Sequence, residues 1–118
     1  MQDFVTPPVE KITHKVIDNH TGVEHGANWD IIPEHCRGGL AAYLQWGQPV
    51  GSFLTAVLRN DLIRAVLRAD DKNVVRLHHY AAFLHAFADP RSYGSEEAVA
   101  AWLDVKGAQG IRQAEGAL

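Results

Sequence analysis

The sequence predicts a mainly α-helical protein, a compact bundle of about five short-to-medium helices that follows an extended arm or a small β-hairpin. Two observations support this prediction. Apolar residues recur at helical spacing through residues 31–105, in segments separated by Gly, Pro, Asn and Asp. Hydrophobic residues also make up 47% of the 118 residues, enough for a real core. We therefore expect a single domain over residues 1–118 with its helical core in residues 31–105.

The first thirty residues favour extended structure. Pro7 and Pro8 restrict the residues before them to extended conformations, so residues 1–10 are expected to form an arm. β-Branched residues then precede the turn sequence DNHTG, which runs from Asp18 to Gly22 and favours a small β-hairpin. An isolated hairpin is marginally stable, so this one is expected to pack on the helices.

The first three helices are predicted over residues 33–46, 52–59 and 61–69. Pro33 suits the start of the first helix, Gly47 suits the position after its end, and Ser52 can cap the second helix. A helical wheel places one apolar cluster nearly opposite the next: Phe53, Leu54, Val57 and Leu58, then Leu62, Ile63, Val66 and Leu67. A break at Asn60-Asp61 would let both clusters face one core. If the helix were straight instead, the second cluster would be expected at an oligomer contact.

A fourth helix is predicted to run without interruption over residues 71–88. Its apolar stripe is expected to face the core, and it consists of Val74, Leu77, Tyr80, Ala81, Leu84, Phe87 and Ala88. Phe83 falls on the opposite side, so it predicts a partner surface or another buried layer. Ser95 is expected to cap a fifth helix over residues 96–103, and the glycine-rich residues 106–118 are expected to be a tail that is loosely held or helical only in part.

Three histidines lie on the predicted fourth helix, and their spacing does not suit a metal site. His78 and His85 are seven residues apart, about 10 Å along a helix axis, whereas two zinc ligands on one helix need a spacing near four. His79 points about 100° away from His78. We expect His78 and His85 to be partly buried and hydrogen-bonded. A metal site shared with residues of the hairpin is the alternative, and its further ligands would be Asp18, His20 and His25.

No catalytic residue, metal site or cofactor is predicted. Cys36 lies in the first turn of the first helix, where the helix dipole favours a thiolate. The adjacent His35 points about 100° away along the helix, so it cannot act directly as the base. The sequence contains neither a GxSxG motif nor a phosphate-binding glycine loop.

Charge and composition narrow the class of protein. Eleven basic residues against fourteen acidic ones give a net charge of −3, and the basic residues are scattered rather than gathered into the patch of a typical duplex-binding protein. No apolar run approaches the roughly 18 residues of a membrane span, and the N-terminus lacks the pattern of a secretory signal. A single cysteine fits a reducing compartment. We therefore expect a cytoplasmic protein that binds neither membranes nor nucleic acid.

Two segments resemble a family of small uncharacterised proteins of phages and prophages in proteobacteria. The matching elements in residues 32–73 are IPEH, GSFLTAVLRNDL and the AD pair with a following Asn, and in residues 93–103 the match is GSEEAVAAWL. The resemblance implies a phage or mobile-element source but carries no catalytic residues. Phage proteins of this size often bind a host enzyme, inhibit a defence system or sequester a nucleotide signal. These roles are carried over to this chain by analogy alone.

The leading interpretation is a non-enzymatic, phage-encoded accessory protein that acts in the host cell by binding a host or phage protein. A counter-defence factor is one form of this, and a homodimer is compatible with it. The residues assigned to the partner surface are Phe83, Trp46, His79 and Tyr93.

The alternative is a protein that binds a small anionic ligand such as a nucleotide signal. Backbone N–H groups at a helix N-terminus bind anions, and the residues assigned to this site are Gly51, Ser52, Arg59 and Arg64. A histidine- or metal-dependent enzyme ranks third.

Overall fold

The computed structural model describes residues 15–116, and most of these residues are helical. Seven α-helices follow one another: α1 (Glu34–Trp46), α2 (Ser52–Leu58), α3 (Leu62–Arg68), α4 (Asp71–Val74), α5 (Leu77–Phe87), α6 (Glu96–Asp104) and α7 (Gly107–Gly116). Two 3₁₀ turns, Trp29–Ile31 and Pro90–Ser92, lie before α1 and after α5. The prediction of a mainly helical fold is therefore confirmed, with seven helices in place of about five. The expected arm over residues 1–10 lies outside the described residues.

The predicted hairpin is a tight reversal with one bridge. Ile17 pairs with Glu24 and Val23 with Ala88, and these two antiparallel bridges are the β-pairing within residues 15–116. The amide of Gly22 donates a 2.9 Å hydrogen bond to the carbonyl of Asp18. Gly22 has a φ of +80°, and a Cβ there would lie 2.6 Å from the carbonyl oxygen of Leu44. The turn thus needs glycine, and it packs on the helices as expected.

The first helix forms where the sequence predicts it. Pro33 occupies the N-cap of α1, and Gly47 ends the helix in the left-handed conformation with a φ of +65°. The inner face of α1 carries Tyr43, whose hydroxyl donates a 2.8 Å hydrogen bond to the carbonyl of Ser92. The indole Nε1 of Trp102 donates to the carbonyl of Tyr43 at 2.9 Å, which ties α6 to α1.

The predicted break between the second and third helices is confirmed. Asn60 adopts a left-handed conformation with a φ of +63°, and the side chain of Asp61 caps α3 by accepting a hydrogen bond from the amide of Arg64 at 3.2 Å. One detail differs. Gly51 is the N-cap of α2 and Ser52 is its first helical residue, so Ser52 does not cap this helix.

The prediction of one continuous helix over residues 71–88 is wrong, because the chain turns at Val75-Arg76. Asp70 caps the separate short helix α4 by accepting from the amide of Asn73 at 2.7 Å. The amide of Arg76 then bonds to the carbonyl of Asn73 at 3.0 Å, which closes α4 after one turn. This break points the polar side chain of Asn73 into the core, where it is 4% exposed.

The break also changes which residues of the predicted stripe are buried. Tyr80, Leu84 and Ala88 are buried as predicted, and Leu77 and Phe87 pack against the core while partly exposed. Val74 lies on α4, ahead of the turn, and is exposed, and so is Ala81. The predicted stripe thus holds within α5, apart from Ala81, and fails across the turn.

Phe83 is fully buried, so of its two predicted roles the partner surface is wrong and the second buried layer is confirmed. Its relative exposure is 0%. The 3₁₀ turn brings Trp29 over this side of α5, with 4.6 Å between the two ring centroids, and Phe87 packs at 5.4 Å. The segment before α1 therefore supplies a second buried layer, which sequence periodicity within α5 could not reveal.

The expected loosely held tail is helical over Gly107–Gly116, and its first turn is buried. Gly47 and Gly107 pass so closely that a Cβ on either would lie within 2.7 Å of the other's backbone. The side chain of Gln109 donates a 3.0 Å hydrogen bond to the carbonyl of His20, so α7 also contacts the N-terminal turn. The close approach at Gly107 and the hydrogen bond of Gln109 hold α7 against the rest of the protein, although α7 has few large apolar residues.

Candidate functional site

The most unusual surface of the described chain is an apolar face on α3, formed by four aliphatic side chains. Leu62, Ile63, Val66 and Leu67 are 67%, 73%, 42% and 75% exposed, respectively. At 100° per residue they span about 140° of the helix circumference. The two arginines of α3, Arg64 and Arg68, lie outside this arc. We call these four residues the α3 face.

The prediction that the α3 face points to the core is wrong, although the break that motivated it is present. α3 meets the core through its small residue Ala65, which is 2% exposed. The amide of Asp61 donates a 2.9 Å hydrogen bond to the carbonyl of Ala56, so the start of α3 is held against α2. The rotation that this attachment imposes turns Ala65 inward and leaves the larger side chains outward.

A groove of about 280 Å³ lies beside the α3 face. Leu62 belongs to both the face and the groove, and the opposite side is formed by residues of α5 and the loop after it. The other lining residues include Ala65, Leu77, Ala81, Leu84 and Tyr93. Apolar side chains that line a cleft next to an exposed apolar helix are typical of a protein contact surface.

The four residues predicted to contact a partner are not brought together. Tyr93 lines the groove beside the α3 face and is half-buried, with the Lys15 ammonium 5.6 Å from its ring centroid. Phe83 is buried inside the protein. Trp46 is 47% exposed at the end of α1, and His79 is partly exposed on α5, where its Nδ1 lies 3.4 Å from Arg76. Sequence reasoning expected the α3 face at a surface contact only for a straight helix, and it did not foresee an exposed face beside a break.

A second feature is a polar cluster around the side chain of Asn73. Its Oδ1 accepts a 2.6 Å hydrogen bond from the hydroxyl of Tyr80, and its Nδ2 lies 3.6 Å from the Sγ of Cys36. Burial raises the pKa of Tyr80 well above its usual range. The amide of Asn73 thus joins α1, α4 and α5 through buried polar contacts, an arrangement that orients the helices.

The Cys36 thiol is paired with this amide and not with a base. The Nε2 of His35 lies 3.0 Å from the carboxylate of Asp70, so a proton on Nε2 is donated to Asp70. The hydrogen bond from the backbone amide of Asn73 lowers the pKa of Asp70, and the bond from the His35 side chain lowers it further by a smaller amount. A base within hydrogen-bond reach is one of the groups that activate a nucleophilic cysteine, and the hydrogen bonds among residues 15–116 do not join Cys36 to His35. The sequence expectation that His35 does not serve Cys36 agrees with this geometry.

The residues predicted to bind an anion are separated by the length of a helix. Gly51 and Ser52 begin α2, whereas Arg59 is its C-cap, about 10 Å farther along the axis. Arg64 directs its Nε toward Asp61 at 3.5 Å. A groove of about 950 Å³ between α1 and α4 has balanced charge on its walls, which carry Arg37, Lys72 and Arg76 together with Asp30, Glu34 and Asp71. None of these places gathers one sign of charge.

His78 and His79 lie together, with 4.0 Å between their ring centroids, so the expectation that His79 points away from His78 is wrong for the rings. His78 and His85 are exposed, so the expectation that they are partly buried is wrong. His25 is almost fully exposed, with its Nδ1 at 4.0 Å from Asp18. Within residues 15–116, no group of three His, Cys, Asp or Glu side chains is placed to hold a metal ion.

The chain was compared with protein-family models, with curated proteins and with solved structures. None of the three comparisons finds a match. In the part of the chain that the structure describes, no helix has the length and apolar character needed to span a membrane. The α3 face, with the groove beside it, is therefore the candidate functional site on geometric grounds alone.

Proposed function

We propose that this chain is a small, non-enzymatic accessory protein of phage or prophage origin that acts in the host cytoplasm by binding a protein through the α3 face. The observation that carries the proposal is the exposure of four adjacent aliphatic side chains on one helix. Contiguous apolar surface is unfavourable in water, and it is a common feature of protein-interaction sites. The phage resemblance supports the class of accessory factor, which includes counter-defence proteins, and the bound protein is a host or phage component.

The other two interpretations have less support. A small anionic ligand would need Gly51, Ser52 and the two predicted arginines at one place, and the arginines lie elsewhere. A histidine-dependent enzyme would need a base near a nucleophile, whereas His35 contacts Asp70 and Cys36 contacts Asn73. Neither arrangement favours catalysis or anion binding over protein binding.

The experiment compares the wild-type chain with the double variant Ile63→Glu/Leu67→Lys as bait in a host lysate. The acidic residue near the start of α3 and the basic one near its end suit the helix dipole and form an i,i+4 pair, so the variant should keep its fold. The matched control is Val16→Glu/Val105→Lys, which introduces the same charges at exposed positions outside the α3 face. Proteins retained by the wild type and the control but lost by the α3 variant support the proposal. Identical sets of retained proteins from all three chains reject it.

A further inference from the structure

We infer that the occupant of the α3 face is a second copy of this chain, in a two-fold symmetric dimer. This inference rests on the proposed function, because it takes the α3 face to be a protein-binding surface and names its partner. The four residues of the α3 face lie side by side and are exposed, so they form one continuous apolar surface. Residues Arg64 and Arg68, on the remaining circumference of α3, stay outside the contact.

The apolar area of the α3 face suits a contact between two copies. A fully buried aliphatic side chain removes on the order of 100 Å² of apolar surface from water, so the four side chains at their observed exposures offer roughly 250 Å² per copy. Two copies would bury roughly 500 Å² of apolar surface between them. The smallest specific interfaces bury about 1,000 Å² in total, slightly more than half of it apolar. The α3 face of two copies therefore supplies most, though not all, of the apolar area of a small dimer.

The residues at the centre of the α3 face suit a two-fold symmetric contact. In a two-fold interface each residue near the axis lies against its own counterpart, so a charged residue at the centre would face a like charge. The centre of the α3 face is formed by Ile63 and Val66, which are uncharged and pack well against themselves. The groove beside Leu62 adds a cleft of about 280 Å³ that can receive an aliphatic side chain from the other copy. A heterologous partner would need its own matching stripe, whereas a second copy already has one.

Sedimentation velocity of the full chain over about 1–500 μM tests the dimer, because this concentration range covers the dissociation constants of weak, small interfaces. The expected mass rises from 13.0 kDa toward twice that value with concentration. Ile63→Glu/Leu67→Lys should raise the dissociation constant at least about 30-fold, while Val16→Glu/Val105→Lys leaves it unchanged. A wild-type chain that stays at 13.0 kDa throughout overturns the inference, and so does a dimer that the α3 variant leaves intact.

Cross-linking tests which surface meets at the axis. In a Cys36→Ser background, Ile63→Cys should form an intermolecular disulfide under mild oxidation, since its Cβ would lie near that of its counterpart. Val16→Cys, which is 79% exposed and outside the α3 face, is the control for random collisions. Equal cross-linking of the two variants contradicts the inference. If the wild type is monomeric but the α3 variant still loses host proteins in the capture experiment, the second copy is wrong and the proposed function stands.

Discussion

The hydroxyl of Tyr80 donates a 2.6 Å hydrogen bond to the Oδ1 of Asn73, and both residues are buried. This bond crosses the turn between α4 and α5, at the point where the sequence suggested an unbroken helix. Tyr80 lies on α5 and also packs edge-on against Phe53 of α2, with 5.2 Å between the ring centroids. The pair therefore links the polar cluster to the apolar core.

Tyr80→Phe should destabilise the protein by about 1–3 kcal/mol, because it keeps the ring but leaves the buried Oδ1 of Asn73 with only the weak thiol donor of Cys36, 3.8 Å away. Urea unfolding followed by circular dichroism measures the difference. Tyr93→Phe is the control, since the Tyr93 ring is half-buried and its hydroxyl makes no hydrogen bond to residues 15–116. A loss as large for Tyr93→Phe as for Tyr80→Phe would show that the bond to Asn73 has no special role.

Phe83→Ala should lower the free energy of unfolding by about 3–5 kcal/mol, because the ring is fully buried against Trp29 and Phe87. Leu67→Ala is the comparison, since Leu67 is 75% exposed and its truncation should change stability by no more than about 0.5 kcal/mol. Thermal and urea unfolding at low protein concentration measure both. Similar small effects for the two variants would contradict the burial of Phe83.

Gly38→Ala should stabilise the protein by about 0.5–1 kcal/mol, because glycine in an exposed helix interior costs backbone entropy. A Cβ at Gly38 has no neighbour within 4 Å. Gly22→Ala should destabilise the protein, since Gly22 has a positive φ and an added Cβ would clash with the carbonyl of Leu44. Melting temperatures of the two variants that move in the same direction would contradict this pair of predictions.

Stability should fall as the pH rises above about 10. Burial raises the pKa of Tyr43, Tyr80 and Tyr93, which are the three tyrosines of the chain. A pKa raised in the folded state gives a contribution that is fully present below the unfolded value of 10.0 and lost as the pH rises through the folded value. Absorbance at about 295 nm should show little tyrosinate until the protein unfolds cooperatively. Gradual ionisation of all three tyrosines near pH 10 in the folded protein would contradict the prediction that burial raises their pKa values.

The helical class and most helix ends could be predicted from the sequence, since these features depend on local chemistry. Pro33 and Gly47 bound α1, the Asn60-Asp61 pair separates α2 from α3, and Ser95 caps α6 by accepting from the amide of Ala98 at 3.0 Å. A cap or a left-handed residue acts on its own turn of helix, so its effect can be predicted from neighbouring residues.

Only the tertiary structure decided which apolar faces are buried. The wheel gives the same apolar pattern for the α3 face as for a core face, and the difference arises because Asp61 attaches α3 to α2 with Ala65 inward. Phe83 is buried for a comparable reason, because Trp29 arrives from more than fifty residues earlier in the chain. Burial depends on contacts between residues distant in sequence, and helical periodicity carries no information about which distant segment will cover a face.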